Sequence, residues 1–91
     1  MNYKVTHNLN NHRFETEVDG YTGHLEYIVV NGALDLAHTI VPKEIGSRGV
    51  AAALVEGALL YARANNMKVI PSCSYVAVYI RRHPEYEVLV Q

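Results

Sequence analysis

The stretch from His38 to Ala62 most constrains how this chain can fold. An extended apolar segment runs up to Pro42, which cannot donate a hydrogen bond to a sheet and therefore ends a strand. A glycine turn at residues 46–49 follows and leads into a long amphipathic helix. The first N–H groups of a helix have no partner inside it and carry partial positive charge. The turn is therefore a candidate anion-binding loop, with a phosphate as the expected anion.

Two hairpin signals precede this stretch and predict an antiparallel meander. Residues 13–18 and 21–30 alternate in polarity, and the turn pair Asp19-Gly20 lies between them. Asn31-Gly32 is the strongest hairpin signal, because a type I′ turn needs positive φ at both central positions. A third strand is expected over 33–41. The segment before Arg13 fits a short strand or a loosely held segment.

The alternation in the third strand predicts which side chains share a face. Leu34, Leu36, His38 and Ile40 are expected on one face of the sheet, and Thr39 on the other. Pro42 then takes the chain out of the sheet.

The second half of the chain predicts helix, strand and helix. The apolar stripe of residues 50–64 is typical of a helix that packs on a sheet, and Asn65-Asn66 is a suitable stop. A short strand at 67–70 follows, parallel to the third strand because the crossover contains a helix. A second helix is expected up to Arg82, with Ser74 as its N-cap. The tail EYEVLVQ fits either a strand or a last helical turn.

This order of elements predicts an α/β (α+β) fold with a mixed, mainly antiparallel sheet. It contains a β-meander, a glycine turn into a long helix, a parallel strand and a short C-terminal helix. With 91 residues, we expect a single domain over residues 1–91. The net charge of −1 and the pI near 6.5 argue against nucleic acid or an anionic membrane surface as partner.

The one cysteine, Cys73, cannot form a disulfide within the chain and fits a reducing compartment. The amino terminus has no apolar signal-peptide core, and no apolar run is long enough to span a bilayer. We therefore expect a cytoplasmic protein, either a monomer or a small homo-oligomer.

The sequence resembles the Gcn5-related N-acetyltransferase superfamily, and within it the small YidJ-like group. The family marks its acetyl-CoA site with Q/R-x-x-G-x-G/A, and Gly49 and Ala51 match its small residues, whereas Gly46 replaces the glutamine or arginine. The resemblance runs from about Phe14 to Tyr86. It is carried by the blocks HTIVP, SRGVAAALVEGALLYA and KVIPSCSYVAVYIRRHPEY. A nucleotide P-loop is excluded because no second glycine and lysine follow at its spacing.

The resemblance implies acetyl-CoA as co-substrate, bound largely by backbone N–H groups of the glycine turn. Arg48 could supply the charge that Gly46 lacks. Residues 39–41 are expected beside the pantetheine arm. Arg82, in a basic cluster at the end of the second helix, is expected to contact the 3′-phosphate, although such a cluster also suits a helix C-terminus. The expected cofactor-binding residues are Thr39, Ile40, Val41, Gly46, Ser47, Arg48, Gly49, Val50, Ala51 and Arg82.

Three residues are candidates for the chemistry. Cys73 could accept the acetyl group, protonate the departing thiolate, or simply pack as a small apolar side chain. Tyr79 stands where the family places a tyrosine acid, and its helical position also suits core packing. His38, near the end of the third strand, could act as a base toward the incoming amine or be structural. The remaining histidines lack ligand spacing, and we predict no metal site.

The first functional hypothesis is an acetyl-CoA-dependent N-acetyltransferase in which an amine attacks the thioester directly. The alternative is a coenzyme A or acyl-CoA binding module without transferase activity. A structural domain whose glycine turn merely packs is a third possibility. The acceptor amine, whether a small molecule, a protein lysine or an N-terminus, cannot be identified from these motifs.

Overall fold

A five-stranded sheet forms one layer of the computed structural model, which describes residues 3–91. The four antiparallel strands lie in chain order, and the fifth is parallel to the fourth. This confirms the mixed, mainly antiparallel sheet expected from the sequence. The strands are β1 (Thr6–Asn8), β2 (Arg13–Val18), β3 (Tyr21–Val30), β4 (Ala33–Ile40) and β5 (Val69–Ile70).

Two α-helices pack on one face of this sheet. Helix α1 (Val50–Ala64) lies across β2, β3 and β4, and α2 (Ser74–Arg82) contacts β4 and α1. Two 3₁₀ segments, Lys43–Ile45 and Pro84–Leu89, precede α1 and follow α2. None of the helices within residues 3–91 is both long and apolar enough to cross a membrane.

Both predicted hairpin turns are confirmed. Asp19 and Gly20 have φ values of 52° and 82°, and Asn31 and Gly32 have φ values of 51° and 81°. Positive φ at both central positions is what a type I′ turn requires, and this turn matches the twist of the strands that it joins. The sequence signal was therefore sufficient to define the meander.

Strand β4 contains a bulge that the sequence did not predict. Glu26 pairs with His38, but Tyr27 pairs with Leu36, so that Ala37 is an extra residue in β4. One extra residue reverses the alternation of every side chain that follows. The expectation that His38 shares a face with Leu36 is therefore wrong, and Thr39 turns to the helix-covered face instead.

The ends of the helices differ only slightly from the prediction. Helix α1 has the expected bounds, and Asn66 has the left-handed φ of 56° after it. Helix α2 begins at Ser74, so Cys73 and not Ser74 occupies the N-cap position. The tail combines both proposed conformations, because the 3₁₀ segment is followed by a parallel bridge between Val90 and Val69.

The core lies between the sheet and the two helices. Leu25 and Leu36 from the sheet are fully buried against Leu54 and Leu59 of α1, and Val76 of α2 joins the same cluster. The opposite face of the sheet leaves Ile28 and Ile40 about half exposed, at 57% and 48%. The helix-covered face therefore holds the core, and the opposite face is open to solvent.

Candidate functional site

The glycine turn leaves the sheet after β4 and enters α1 through two residues with positive φ. Ser47 has a φ of 58° and Gly49, the N-cap of α1, has a φ of 80°. Gly46 is extended, but a β-carbon there would lie 3.3 Å from the carbonyl oxygen of Lys43. The tight 3₁₀ turn therefore accounts for the glycine that replaces the family's larger residue.

This turn presents unused backbone donors. Within residues 3–91, the N–H groups of residues 47–52 have no hydrogen-bond acceptor. The first backbone hydrogen bond of α1 runs from the N–H of Ala53 to the carbonyl oxygen of Gly49, at 3.1 Å. No side chain caps the helix. Clustered donors at the positive end of a 15-residue helix suit a phosphate group.

Arg48 lies between the two positive-φ residues, and both its side chain and its backbone are engaged. Its Nη1 donates to Oδ2 of Asp19 at 2.8 Å, and its carbonyl oxygen accepts a hydrogen bond of 2.6 Å from the Tyr3 hydroxyl. The hydrogen bond and charge of Asp19 raise the pKa of Arg48 further above its ordinary value. The guanidinium is thus directed to the β2–β3 turn.

A cleft of about 260 Å³ lies between the start of α1 and α2. Its walls combine apolar and aromatic groups with the basic Arg82. A cofactor that carries both an apolar arm and phosphates needs this combination of surfaces. The lining residues are Ala52, Tyr75, Val78, Tyr79, Arg82 and His83.

A larger polar groove of about 370 Å³ lies elsewhere, along β1 and β2. Glu15 and Glu17 line it, and none of the predicted site residues does. Two of the predicted site residues, Tyr79 and Arg82, line the smaller cleft, so we take that cleft as the candidate site. Within residues 3–91, no three His, Cys, Asp or Glu side chains form a group that could hold a metal ion.

Cys73 is half-buried at the N-cap of α2 and contacts β4. Its backbone N–H donates to the carbonyl oxygen of Leu36 at 2.9 Å, and its Sγ lies 3.6 Å from Oγ1 of Thr39. The bulge at Ala37 makes the second contact possible, because it turns Thr39 to this face.

The surroundings of the Cys73 sulfur favour its thiolate. Burial alone would raise the pKa of the thiol, but the N–H groups of Val76 and Tyr75 and the hydroxyl of Thr39 outweigh it and lower the pKa. The sulfur makes no capping hydrogen bond to the first turn of α2 and lies at the positive end of that helix. Cysteines at helix N-termini are typically activated in this way.

Tyr79 lines the cleft and is protonated at neutral pH. Burial, together with nearby Glu56, raises its pKa to about 12. Its ring stacks on His83 at a centroid distance of 4.0 Å, and its carbonyl oxygen lies 2.9 Å from the His83 Nδ1. Tyr79 therefore combines a packing role with an available O–H donor.

The structure separates His38 from Cys73. His38 lies on the exposed face with its pairing partner Glu26, whose carboxylate is 2.9 Å from Nε2 of His24. This hydrogen bond lowers the pKa of Glu26 despite the opposing effect of burial. Ile40 occupies the same exposed face as His38, whereas Thr39 faces Cys73.

Other predicted residues surround the loop and the cleft. Val41 packs near Gly23, where the start of α1 approaches β3. The buried Val50 packs against Gly23 as well. Ala51 belongs to the first turn of α1. The sequence did not single out Asp19 or Tyr3 as site residues, because they are 29 and 45 residues from Arg48 and no local pattern links them to it.

Comparison with known proteins agrees with this architecture. The sequence model of the GCN5-related N-acetyltransferase family matches residues 13–89. A solved structure from Staphylococcus aureus, a GCN5-like protein assigned as a candidate N-acetyltransferase, has 25% sequence identity and a TM-score of 0.73. The similarity covers 97% of this chain and 87% of that one.

The family match includes the strand that precedes the glycine turn, the turn itself and both helices that line the cleft. The similar structure extends this agreement over nearly the whole chain. The chain therefore belongs to the GCN5-related N-acetyltransferase family.

Proposed function

We propose that this protein transfers an acetyl group from acetyl-CoA to an amine acceptor. The observation that best supports this is the row of acceptor-free N–H groups at residues 47–52 beside a cleft that contains Arg82. Such a pair of features suits the diphosphate and the 3′-phosphate of one extended cofactor. We further propose that the 91 residues act as one domain.

The glycine turn would hold the diphosphate through backbone donors. Gly49 leaves open space in front of the backbone, next to Gly46 and Ser47, and within the described residues the N–H groups of Val50 and Ala51 are unpaired at the helix start. Arg82 is an exposed arginine on the cleft wall, where its planar group can bind a phosphate. Thr39 and Val41 on the strand that leads to the loop would lie beside the pantetheine arm, with Ile40 facing away.

When bound, acetyl-CoA supplies the acetyl thioester as the group donor. Cys73, with a lowered pKa, would either accept the acetyl group as thiolate or hold a proton for the departing sulfur. Tyr79 keeps its proton at neutral pH and can donate a hydrogen bond. His38 lies on the open face with Glu26, opposite Cys73, and would serve as base only to an amine that reaches the thioester from that face.

The alternative is a coenzyme A or acyl-CoA binding module that does not transfer the acetyl group. The separation of His38 and Cys73 on opposite faces of the sheet favours this alternative. Binding of coenzyme A without turnover across a broad panel of amines and peptides, and without acetylation of Cys73, would support it. The cytoplasmic location and the monomeric or small homo-oligomeric state stay predictions.

Replacing Gly49 by tryptophan tests the assigned cofactor loop. A β-carbon at Gly49 meets no atom within 4 Å, so the bulky ring would occupy the space in front of the N–H groups. We expect loss of acetyl-CoA binding, measured by isothermal titration calorimetry and by amide chemical shifts.

Gly32→Trp is the matched control for this test. Gly32 has a φ of 81°, close to the 80° of Gly49, and equally open space around its β-carbon position, but it lies in the β3–β4 turn. Both variants therefore carry the same backbone strain. Acetyl-CoA binding that survives Gly49→Trp would show that the cofactor site is elsewhere. An equal loss in both variants would show that backbone strain, and not a blocked loop, abolishes binding.

A further inference from the structure

Arg48 connects three separate parts of the chain at the cofactor loop. Its side chain is bound by Asp19 in the β2–β3 turn, and its carbonyl oxygen by Tyr3 in the amino-terminal segment. The residues on either side of it, Ser47 and Gly49, are the two positive-φ positions of the loop. Arg48, which lies between two residues with positive φ, is thus held through both its guanidinium group and its carbonyl oxygen.

The two partners of Arg48 are themselves anchored. Asp19 is a central residue of a type I′ turn, whose strands pair along β2 and β3. The segment that carries Tyr3 is fixed by the hydrogen bond from Thr16 to the carbonyl oxygen of Lys4, at 2.7 Å, and by Val5 against α1 at Gly57. Both contacts therefore fix the position of the loop relative to the sheet.

The partners of Arg48 do not border the cleft. The cleft is lined by Ala52 and by residues of α2, and among the described residues none of 3–12 and neither residue of the β2–β3 turn lines it. A guanidinium bound to Asp19 is therefore unsuited to contact phosphates in the cleft at the same time. Its backbone N–H, by contrast, belongs to the row of free donors.

We propose that Asp19 and Tyr3 are positioning residues for the cofactor, which act through Arg48 to hold the N–H groups of residues 47–51 ready for the diphosphate. This inference rests on the proposed acetyl-CoA function. The backbone N–H of Arg48 then binds the diphosphate, while its side chain holds the loop in place through Asp19. Preorganised donors bind an anion more tightly because less conformational freedom is lost on binding.

Because the ion pair between Arg48 and Asp19 is exposed, its role in positioning the loop can be tested separately from any contribution to the stability of the fold. The side chains of Arg48 and Asp19 are 38% and 68% exposed. Ion pairs in such contact with water contribute little to folding. Variants of Asp19 should therefore fold normally, and their defect should be confined to the loop.

The test compares Asp19→Asn and Tyr3→Phe with matched controls. Glu17→Gln removes one negative charge from the same hairpin, and Tyr21→Phe removes one exposed hydroxyl; within residues 3–91 neither parent side chain has a hydrogen bond or an ion pair. We expect the Kd for coenzyme A to rise about threefold to tenfold in Asp19→Asn, in line with an exposed contact. Tyr3→Phe should have a smaller effect in the same direction, Asp19→Glu should restore part of the affinity, and the controls should bind normally.

Two further measurements distinguish positioning from a general structural defect. In the unliganded protein, Asp19→Asn should shift the amide resonances of residues 47–51 and lower their backbone order parameters, without lowering the melting temperature. S-Acetylpantetheine lacks every phosphate, so its kcat/KM as donor should be the same in Asp19→Asn and wild type, whereas kcat/KM for acetyl-CoA should fall.

Several outcomes would overturn the inference. Unchanged or tighter coenzyme A binding by Asp19→Asn would show that Asp19 does not position the loop or that it competes with the phosphates for Arg48. An equal loss with S-acetylpantetheine would indicate a general defect. If the wild-type protein binds no coenzyme A, the proposed function fails as well. If the wild type binds coenzyme A and the variants bind it equally well, this inference alone fails.

Discussion

At the scale of single residues, the site depends on backbone donors more than on charged side chains. Gly46 replaces a larger residue of the family pattern, and the guanidinium of Arg48 is bound by Asp19. The proposed diphosphate contact would therefore fall to the row of N–H groups at residues 47–52. Glycines in this loop consequently matter for the space and the backbone angles that they allow.

The Cys73 thiol should ionise at a lower pH than an ordinary cysteine. Its lowered pKa means that the thiolate is present at pH values where a free thiol is still protonated, so alkylation should reach its maximal rate earlier as pH rises. Thr39→Val removes the hydroxyl that lies 3.6 Å from the sulfur and should move the midpoint upward. The measurement is the rate of iodoacetamide alkylation against pH.

Thr22→Val provides the control for this experiment, because Thr22 is an exposed threonine of β3 and has no contact with the sulfur. It should leave the midpoint unchanged. A wild-type midpoint above that of free cysteine, or identical midpoints for Thr39→Val and Thr22→Val, would contradict the assigned environment of Cys73.

Sequence reasoning predicted the candidate cofactor loop but not the contacts that hold it. The glycine turn, Cys73 and Arg82 could be identified because a local pattern or a family resemblance marks each of them. The pair Asp19 and Arg48 could not, since Asp19 already had a sufficient explanation as a turn residue. Contacts between distant turns are fixed by the fold and leave no periodic signal in the sequence.

At the scale of elements, the same distinction explains which parts of the fold were predictable. The hairpins and α1 follow from local chemistry: positive φ at Asn-Gly and Asp-Gly pairs, and an apolar stripe along the helix. The bulge at Ala37 does not, because alanine is equally compatible with a regular strand. That single residue decides which face His38, Thr39 and Ile40 occupy.

Gly57 is an element-scale position where helix propensity and packing oppose each other. Alanine is favoured over glycine inside a helix by about 1 kcal/mol. A β-carbon at Gly57, however, would lie 2.9 Å from Cγ1 of Val5. We therefore expect Gly57→Ala to be neutral or destabilising alone, but to stabilise the protein by about 1 kcal/mol when Val5 is alanine.

Urea denaturation of the four proteins, wild type, Gly57→Ala, Val5→Ala and the double variant, measures this coupling. Val5→Ala removes Cγ1 and leaves the β-carbon of residue 5 at 3.2 Å, which a small shift of the amino-terminal segment can relieve. An effect of Gly57→Ala that is the same in both backgrounds would show that α1 and the amino-terminal segment do not constrain each other.

At the scale of the whole molecule, the short strand β5 depends on the carboxy-terminal tail. β5 has two residues, paired with β4 on one side and bridged on the other by Val90. The N–H of Gln91 also donates to the carbonyl oxygen of Val69 at 3.0 Å. Cys73 follows β5 within a few residues, so the tail supports the segment that places the thiol.

Leu89 should therefore be important for stability although it lies close to the chain end. It is 8% exposed and belongs to the common core, whereas its neighbour Val88 is 70% exposed. Leu89→Ala should lower the free energy of unfolding by about 2–3 kcal/mol, the lower part of the range for buried leucines. Val88→Ala, the matched control, should change it by less than about 0.5 kcal/mol.

Chemical denaturation gives these two free energies, and hydrogen exchange at Val69 reports on β5 itself. Because small domains are only about 5–15 kcal/mol stable, the loss in Leu89→Ala should be a large part of the total. Faster exchange at Val69 in Leu89→Ala than in Val88→Ala would show that core burial at the tail is transmitted to β5. Equal small effects of both substitutions would instead mean that the sheet and helices hold β5, and thereby Cys73, without help from the tail.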